Sequence, residues 1–369
     1  MGFTVPRIDS ILAPYAEKSF EMYKKEYMEI IKDTGSWRSE YEIYFDNGSV
    51  VSVPSSTQNY KELAEEYARK KVKRDFEQGW QGLEYKLNSV GSSRGDYIFV
   101  AITLGLDTTE FGKMAAITYL DVHRKGQGKD GFKKVTLFPK SIFLYDENLH
   151  GKGCVNEDVF EAGIKCSQSS LYPDWLSLTG EGYVPEMYKK YGTPVHPMGC
   201  RSFTSPWYER GGMEPADEND KPVFEGRWNG GVVSLNLMMI LQKSRQENKD
   251  FYEVLDYYLE LIRKLHMRTY NYLGEMKAST NPLAYCEGGF YGGHLKPNEK
   301  IKSILKPMTM SFGFTGLNEL QELYNGKSLV EDGKFALEVL KYISEKVEEF
   351  KQEDKILYSV YSTPMKVGL

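Results

Sequence analysis

Cys200 lies on a short segment, residues 196–203, whose composition suits a loop that presents one side chain. Two prolines precede the cysteine and a glycine adjoins it. Proline stiffens a chain, and glycine lets the backbone come close to another group. Asn229 follows in a glycine-rich turn, residues 226–231, that leads into an apolar run. A thiol on a stiff loop, together with a polar amide, indicates sulfur chemistry on a polar substrate.

The residues alone leave several roles open for Cys200. His196 stands four positions earlier and would be the base if the thiol were a nucleophile, although catalytic partners are usually adjacent in space and not in sequence. The same two residues are too few for a metal site. A structural thiol is the first interpretation on this evidence, ahead of a nucleophile and of a radical or redox role.

Two segments resemble those of the anaerobic (class III) ribonucleoside-triphosphate reductases. They are Met-Gly-Cys-Arg-Ser-Phe at residues 198–203 and Gly-Arg-x-Asn-x-Gly-Val-x-Ser-Leu-Asn-Leu at residues 226–237. Further similarity to the family's pattern runs in the same order along the chain, at residues 7–15, 81–88, 137–140, 171–174, 311–316 and 361–364. Any one of these segments has little specificity, whereas the ordered set is strong evidence.

The resemblance implies a radical reaction. Cys200 would become a transient thiyl radical that abstracts the 3′ hydrogen of a bound ribonucleotide and labilises its 2′ hydroxyl. A stiff loop would hold the sulfur within reacting distance. Asn229 would hydrogen-bond the substrate hydroxyls, because an amide both donates and accepts. Weaker candidates for contacts to substrate or its phosphates are Met198, Gly199, Arg201, Ser202, Ser234 and Asn236.

The resemblance also implies a regulatory surface on residues 60–95. The corresponding family helix lies at a dimer interface, beside which deoxynucleotide effectors bind and set substrate choice; ATP is a further expected effector. A homodimer is therefore expected. The candidate effector-binding residues are Gln81, Glu84, Asn88 and Arg94. The sequence departs from the family after residues 91–96, where the usual proline-phenylalanine pair is absent.

Several parts of the family's pattern have no match in this sequence. These are the C-terminal glycyl-radical segment, its four-cysteine zinc site, the N-terminal strands with a second active-site cysteine, and any ATP-binding cone. Residues 365–369 also depart from the usual continuation. We therefore expect the middle of a reductase, from a split gene or a truncated chain. It would need a glycyl-radical partner, a radical S-adenosylmethionine activase, and formate or a dithiol as reductant.

Two other functions stay open beside the catalytic one. The chain could be a non-catalytic fragment that dimerises and binds nucleotide, or a relic; a thiol hydrolase using Cys200 and His196 ranks far below both. A neighbouring reading frame that encodes the glycyl-radical segment would favour the catalytic component.

Composition limits the class of protein. The 369 residues carry a net charge of −5, with 41% hydrophobic and 27% charged side chains, so a folded core is expected and a nucleic-acid polymer is not an expected partner. No run approaches the roughly 20 apolar residues of a membrane span, and no signal peptide is apparent. The four cysteines form no Cys-x-x-Cys pair, so we expect no metal site, free thiols and a cytoplasmic setting.

Alternating strand and helix signals predict an α/β fold. The resemblance implies part of a ten-stranded α/β barrel entered by a finger loop that carries Cys200, with residues 1–369 as one catalytic portion. A Gly-x-Gly-x-x-Gly match at residues 126–131 is expected to be a polar loop, because a strand and no helix is predicted after it. Helices are predicted at 15–32, 60–90, 156–170, 251–273, 317–323 and 333–349, and strands at 41–45, 50–53, 97–104, 132–145 and 356–361, the first two joined by a turn at Asn47-Gly48.

The apolar spacing also predicts which helix positions are buried. Cys154 and Cys166 are expected to be core or surface thiols without a chemical role. The expected buried positions are Ala16, Phe20, Tyr23, Tyr27 and Ile30 on the first helix, Val159, Ile164 and Cys166 on the third, and Leu255, Tyr258, Ile262, Leu265 and Tyr272 on the fourth.

Overall fold

The structure is a computed structural model that describes residues 2–33, 40–44, 50–54, 57–89, 99–197 and 203–362. Three predicted features lie outside these residues: the turn at Asn47-Gly48, the loop 91–96 with Arg94, and the segment 198–202 with Cys200. The chain forms two compact units, Met1–Lys189 and Lys190–Leu369, each described by itself below. The expectation that residues 1–369 form one catalytic portion concerns function, so it stays a prediction.

The first unit is built on a parallel sheet whose strand order is β1-β4-β5-β6. Helices connect the strands, as parallel pairing requires. A separate hairpin pairs β2 with β3 in antiparallel register, Tyr41 opposite Val53. The elements are β1 Gly2–Val5, α1 Ile8–Asp33, β2 Glu40–Tyr44, β3 Val50–Pro54, α2 Thr57–Ser89, β4 Phe99–Leu104, α3 Glu110–Lys125, β5 Lys140–Tyr145, α4 Glu147–His150, α5 Glu157–Ser170, β6 Asp174–Ser177 and α6 Tyr183–Tyr191.

The core of this unit lies between the sheet and its helices. Ile102, Leu104 and Phe143 from the strands pack with Tyr119 and Leu120 of α3. The helices α1 and α2 pack on each other and on α3, and the Trp80 indole donates to the Ala115 carbonyl at 3.2 Å. Both predicted helices are confirmed, and α1 begins earlier than expected. The predicted face of α1 is wrong at its end, because Ile30 is exposed.

Two predictions in this unit are corrected. The predicted strand 132–145 is a strand only at Lys140–Tyr145, since Phe132 and Leu137 are exposed and Pro139 cannot donate to a ladder. Gln127 instead forms an isolated bridge with Lys134, and no helix opens after Gly131, as expected for a polar loop. In α5 the predicted Val159 and Cys166 are buried, whereas Ile164 is exposed.

The second unit carries a parallel sheet of order β7-β8-β9. Its predicted helices and closing strand are confirmed with small shifts of their ends. On α8 the predicted Leu255 and Ile262 are buried, while Leu265 and Tyr272 are exposed. The elements are β7 Asn229–Asn236, α7 Leu237–Glu247, α8 Phe251–Gly274, α9 Pro282–Tyr285, β8 Thr309–Thr315, α10 Leu317–Asn325, α11 Lys334–Asp354 and β9 Leu357–Ser362, with short 3₁₀ turns at Ala278–Thr280 and Ile301–Leu305.

One face of this second sheet packs against helices and forms the hydrophobic core of the unit. The residues of the opposite face are not part of this core. Leu235, Met310, Phe312, Phe314 and Tyr358 lie in the core with α8 and α11. The α/β prediction is therefore confirmed. A ten-stranded barrel is not seen among the described residues, whose parallel strands form sheets of four and three. No helix in the described ranges is long and apolar enough to cross a membrane.

Candidate active site

The segment that carries Cys200 is attached to the second unit at both ends. Before it, His196 is buried and its Nε2 lies 3.7 Å from Glu225 Oε1. After it, the Ser205 amide donates to Thr309 Oγ1 at 3.2 Å, and Ser205 Oγ donates to the Tyr358 carbonyl at 3.0 Å. Thr309 begins β8 and Tyr358 is the second residue of β9. The described residues on either side of 198–202 are thus both held by contacts within the second unit.

Asn229 is the first residue of β7 and is held by two hydrogen bonds. Its Nδ2 donates to Ser311 Oγ at 2.6 Å, and its Oδ1 accepts from the Gly231 amide at 2.8 Å. The register with β8 shifts between Asn229 and Gly231. Ser311 Oγ in turn lies 2.8 Å from Ser359 Oγ on β9. We call Asn229, Ser311 and Ser359 the amide–hydroxyl relay.

Arg227 fixes the entry of β7. The side chain is buried, and its Nε and Nη2 both donate to the Pro307 carbonyl, at 2.9 and 2.8 Å. Its Nη1 donates to the Val223 carbonyl at 3.1 Å. A guanidinium has five donors in a rigid fork, so it can satisfy several carbonyls at once. Next along the chain, Trp228 stacks on Phe290 with ring centroids 5.1 Å apart.

The face of the sheet that carries the relay is rich in small polar residues. Side chains alternate along a strand, so the residues at alternate positions share this face. Ser234 lies opposite Gly313, and a Cβ on Gly313 would collide with Ser234 Oγ. Parallel sheets are usually apolar on both faces. A polar face therefore indicates a polar ligand. We call this the polar face, although Val232 and Leu357 on it are apolar; its residues are Asn229, Val232, Ser234, Asn236, Thr309, Ser311, Gly313, Thr315, Leu357, Ser359 and Tyr361.

The predicted Asn236 has a structural task. It is the N-cap of α7, and its Oδ1 accepts from the Met239 amide at 3.1 Å. Asn236 and Ser234 also line a cavity of about 1030 Å³ beside β7, between α7 and α8. Lys243, Lys264 and Arg268 contribute positive charge to its walls. In the described residues β7 pairs only with β8, so its other edge opens on this cavity.

The candidate effector residues of α2 are mostly engaged inside the first unit. Glu84 is fully buried; its Oε1 lies 2.7 Å from His123 Nδ1 and its Oε2 accepts from Gln127 Nε2 at 2.9 Å. Asn88 Nδ2 donates to the Phe138 carbonyl at 2.6 Å. Gln81 is exposed. The contacts of Glu84 and Asn88 give both residues a structural role. The effector role of the four candidate residues stays a prediction.

His266 and Cys166 show how burial sets protonation in the two units. Burial lowers the pKa of His266, whose Nε2 lies 3.1 Å from the Ser311 carbonyl. Because a carbonyl only accepts, Nε2 carries the hydrogen and the neutral ring anchors the backbone of β8. Burial raises the pKa of the Cys166 thiol, which keeps it protonated in the core as predicted. Cys154 and Cys286 are half-buried free thiols.

Sequence reasoning missed several residues of this site. Ser311 lies within the family-like segment 311–316, and the strand alternation there would have placed Ser311, Gly313 and Thr315 on one face. Arg227 lies within the family-like segment 226–237 but was given no role, and Ser359 and Ser205 gave no comparable signal. Their partners are distant in sequence. Among the described residues, no group of three or more His, Cys, Asp or Glu side chains is arranged to hold a metal ion.

Comparison with known proteins agrees with the motifs on β7 and β8. A family model for anaerobic ribonucleoside-triphosphate reductase matches residues 2–366. The reductase of Haemophilus influenzae is 30% identical over 370 residues, which cover 98% of this chain and 46% of the relative. Those of Salmonella typhimurium and Enterobacteria phage T4 are each 28% identical, with 46% and 53% of the relative covered. The chain spans about half the length of the curated relatives it matches. It belongs to the anaerobic ribonucleoside-triphosphate reductase family.

Proposed function

We propose that this chain is the catalytic component of an enzyme that reduces ribonucleotides to deoxyribonucleotides by a thiyl-radical mechanism. The observation that carries the proposal is the polar face of the second sheet. Asn229, which the family motif marks, is there held in a fixed orientation by Ser311 and Gly231. A sugar needs such polar, preorganised contacts, and both flanks of the Cys200 segment attach to the same unit.

The proposed reaction begins at Cys200. A thiyl sulfur takes the 3′ hydrogen of the ribose, so an S–H bond forms and a C3′–H bond breaks. The C2′–O bond then breaks, and the 2′ hydroxyl takes a proton and leaves as water. Formate, oxidised to carbon dioxide, or a dithiol, oxidised to a disulfide, supplies two electrons, and a second proton completes the new C2′–H bond. Cys200 finally returns its hydrogen to C3′, which regenerates the thiyl radical. Asn229 binds the ribose hydroxyls during these steps. A glycyl radical on a separate segment, next to a zinc site and installed by a radical S-adenosylmethionine activase, would take the hydrogen atom of the Cys200 thiol and leave the thiyl radical.

We propose that additional protein segments complete the site. The open edge of β7 supports this, because an unpaired strand edge is a template for pairing with another strand. Exposed Met239, Leu261 and Leu265 flank the same cavity and would be covered by such a segment. In this proposal the parallel sheets are parts of a ten-stranded barrel. The free thiols of Cys154, Cys166 and Cys286 suit a reducing, cytoplasmic setting.

A homodimer formed through α2, with deoxynucleotides or ATP as effectors beside it, is part of the proposal. Gly79 and Gly82 leave open space on the helix, with no atom within 4 Å of a built Cβ. A groove of about 360 Å³ between α1 and α2 is lined mainly by apolar residues, Leu12, Phe76 and Leu83 among them. The same surface favours the second candidate function, a non-catalytic fragment that dimerises and binds nucleotide.

The test replaces the thiol in a completed enzyme. The chain is combined under anaerobic conditions with a separately expressed glycyl-radical segment, the activase, nucleotide and formate or dithiol. We expect deoxynucleotide from the native chain, none without the added segment, and none from Cys200→Ser. Cys154→Ser is the matched control and should keep full activity, because Cys154 is half-buried and remote in sequence from the loop. Near-native turnover by Cys200→Ser would refute the mechanism, and no product from any complete mixture would favour the non-catalytic fragment.

A further inference from the structure

The amide–hydroxyl relay crosses three neighbouring strands. Asn229 on β7, Ser311 on β8 and Ser359 on β9 are linked by contacts of 2.6 and 2.8 Å. The register pairs Ser311 directly with Ser359, so these two hydroxyls meet because their strands are in register. Asn229 reaches Ser311 across the register shift at the start of β7. A series of hydrogen-bonded side chains of this kind can form only when all three strands are paired.

The backbone decides which way the Asn229 amide points. The Gly231 N–H can only donate, so the atom 2.8 Å from it must be the amide oxygen. The amide nitrogen then faces Ser311 Oγ and donates to it. Exchanging the two amide atoms would set donor against donor at Gly231. The orientation of Asn229 thus follows from its partners.

The hydroxyls of Ser311 and Ser359 complete the relay. Ser311 Oγ accepts from Asn229 and lies 2.8 Å from Ser359 Oγ, a contact in which either hydroxyl can be the donor. Ser311 is fully buried, so its hydroxyl cannot turn to bulk water for another partner. Its backbone carbonyl is also held, at 3.1 Å from His266 Nε2. Side chain and main chain of Ser311 are therefore both fixed.

We propose that Ser311 and Ser359 are positioning residues that hold the Asn229 amide for recognition of the ribose hydroxyls. The proposal rests on the function proposed above, in which Asn229 binds those hydroxyls. Without Ser311, the Asn229 amide nitrogen loses this hydrogen bond and the side chain is freer to rotate about its terminal torsion. Without Ser359, Ser311 Oγ loses the hydroxyl that lies 2.8 Å away on β9. Both changes should weaken discrimination between a ribonucleotide and its 2′-deoxy analogue.

The first measurement follows the Asn229 side-chain amide by NMR in the full chain, with the signal assigned by its disappearance in Asn229→Asp. We expect Ser311→Ala and Ser359→Ala to move this signal and to speed its hydrogen exchange. Ser359→Thr keeps the hydroxyl on a half-buried site and should retain the native signal. Ser244→Ala is the matched control, because it deletes a buried serine hydroxyl that bonds only within α7. An unchanged Asn229 signal in Ser311→Ala overturns the proposal.

The second measurement titrates CTP and dCTP against the same signal, so that binding elsewhere on the chain does not contribute. Ser311→Ala should reduce the preference for CTP about fivefold, the effect of one neutral hydrogen bond. In an Asn229→Ala background, where the affinity is read by calorimetry, the serine change should add nothing. An equal loss in both backgrounds contradicts a role through Asn229. No response of the Asn229 signal to CTP refutes ribose binding by Asn229, and the first measurement still decides the relay.

Discussion

At the scale of single residues, the proposed chemistry depends on how firmly the Cys200 segment is tied down. Ser205 is the described residue that attaches its downstream end to both β8 and β9. A radical hydrogen transfer needs the sulfur within a few tenths of an ångström of its place, and small displacements have large effects on rate. Ser205 is therefore a residue whose loss should affect reaction more than stability.

We predict that Ser205→Ala lowers turnover of the completed enzyme about tenfold while changing the free energy of unfolding by about 1 kcal/mol at most. The change removes only the hydroxyl bond to the Tyr358 carbonyl, since the backbone bond to Thr309 remains. Turnover and thermal denaturation are measured side by side. Ser279→Ala, an exposed serine of the same unit, should affect neither. Native turnover by Ser205→Ala would show that this tether is dispensable.

The ionisation of Asp9 should make the free energy of unfolding depend on pH. Burial raises its pKa from 3.8 to about 6, against the opposing effect of the Gly105 and Ser10 amides that donate to it. The folded state thus holds the proton more tightly than the unfolded state. The stabilising contribution is fully present below pH 3.8 and is lost as pH rises through about 6.

We predict that the chain loses about 2 kcal/mol of unfolding free energy between pH 4 and pH 7 because of Asp9. Asp9→Asn removes the titration and keeps an acceptor for the Gly105 amide, so its unfolding free energy should not show this fall. Denaturant unfolding at intervals of pH, for both proteins, gives the difference directly. Parallel pH profiles for the two proteins would mean that Asp9 does not titrate in this range.

Residue roles were predictable from sequence only where the motif itself carried them. Asn229 was found because it lies within a family-like segment, whereas Ser359 and Ser205 have partners that only the sheet register brings near. For Glu84, the sequence predicts the helix correctly and suggests an effector role. Its contacts with His123 and Gln127, distant along the chain, could not be read from helical periodicity.

At the scale of elements, α2 joins two kinds of surface. One side is buried against α1 and α3, and it includes Glu84, whose carboxylate binds His123 and Gln127. The other side is exposed around Gln81. When a buried carboxylate is removed, the groups that were hydrogen-bonded to it are left without a partner. Removing an exposed amide leaves no buried group without a hydrogen bond.

We predict that Glu84→Ala destabilises the chain by about 3 kcal/mol, because it removes the partner of the buried His123 ring and of the half-buried Gln127 amide. Gln81→Ala, on the exposed side of the same helix, should change the free energy of unfolding by less than about 0.5 kcal/mol. Equilibrium denaturation measures both. If Glu84→Ala were as stable as the native chain, the buried contacts would have no structural weight and the effector role would gain support.

The elements themselves were largely predictable, and the failures have physical reasons. The helices α8 and α11 have a clear period of apolar residues, and the closing strand β9 was predicted. The strand β8, in which Met310, Phe312 and Phe314 alternate with small or polar residues, was not predicted. The strand predicted over 132–145 failed in its first half because its apolar residues are exposed and find no partner strand. Beta structure depends on a neighbour, and the sequence of one strand does not contain that neighbour.

At the scale of the whole molecule, the boundary between the two compact units falls at Lys189 and Lys190, within α6. Linkers are recognised in sequence by Pro, Gly or polar composition. Pro185 lies in α6, and Gly182 and Gly192 flank it, but the helix continues across the boundary, so these residues were not interpreted as a linker. Association with a second copy of the chain depends on exposed surfaces, and the exposed side of α2 is the surface for which we predict such an association.

We predict that the chain dimerises through α2 at micromolar concentration and that Gly82→Arg abolishes the dimer. A Cβ at Gly82 meets nothing within 4 Å, so the arginine fits the isolated chain but would obstruct a helix packed against this face. Gly326→Asn is a control at an open, left-handed glycine after α10, a conformation that asparagine tolerates, and it should leave the dimer intact. Sedimentation with and without a deoxynucleotide measures the association. A native chain that stays monomeric in both conditions contradicts the prediction, and so does a Gly82→Arg chain that still dimerises, because packing against this face is the physical basis of the expected contact.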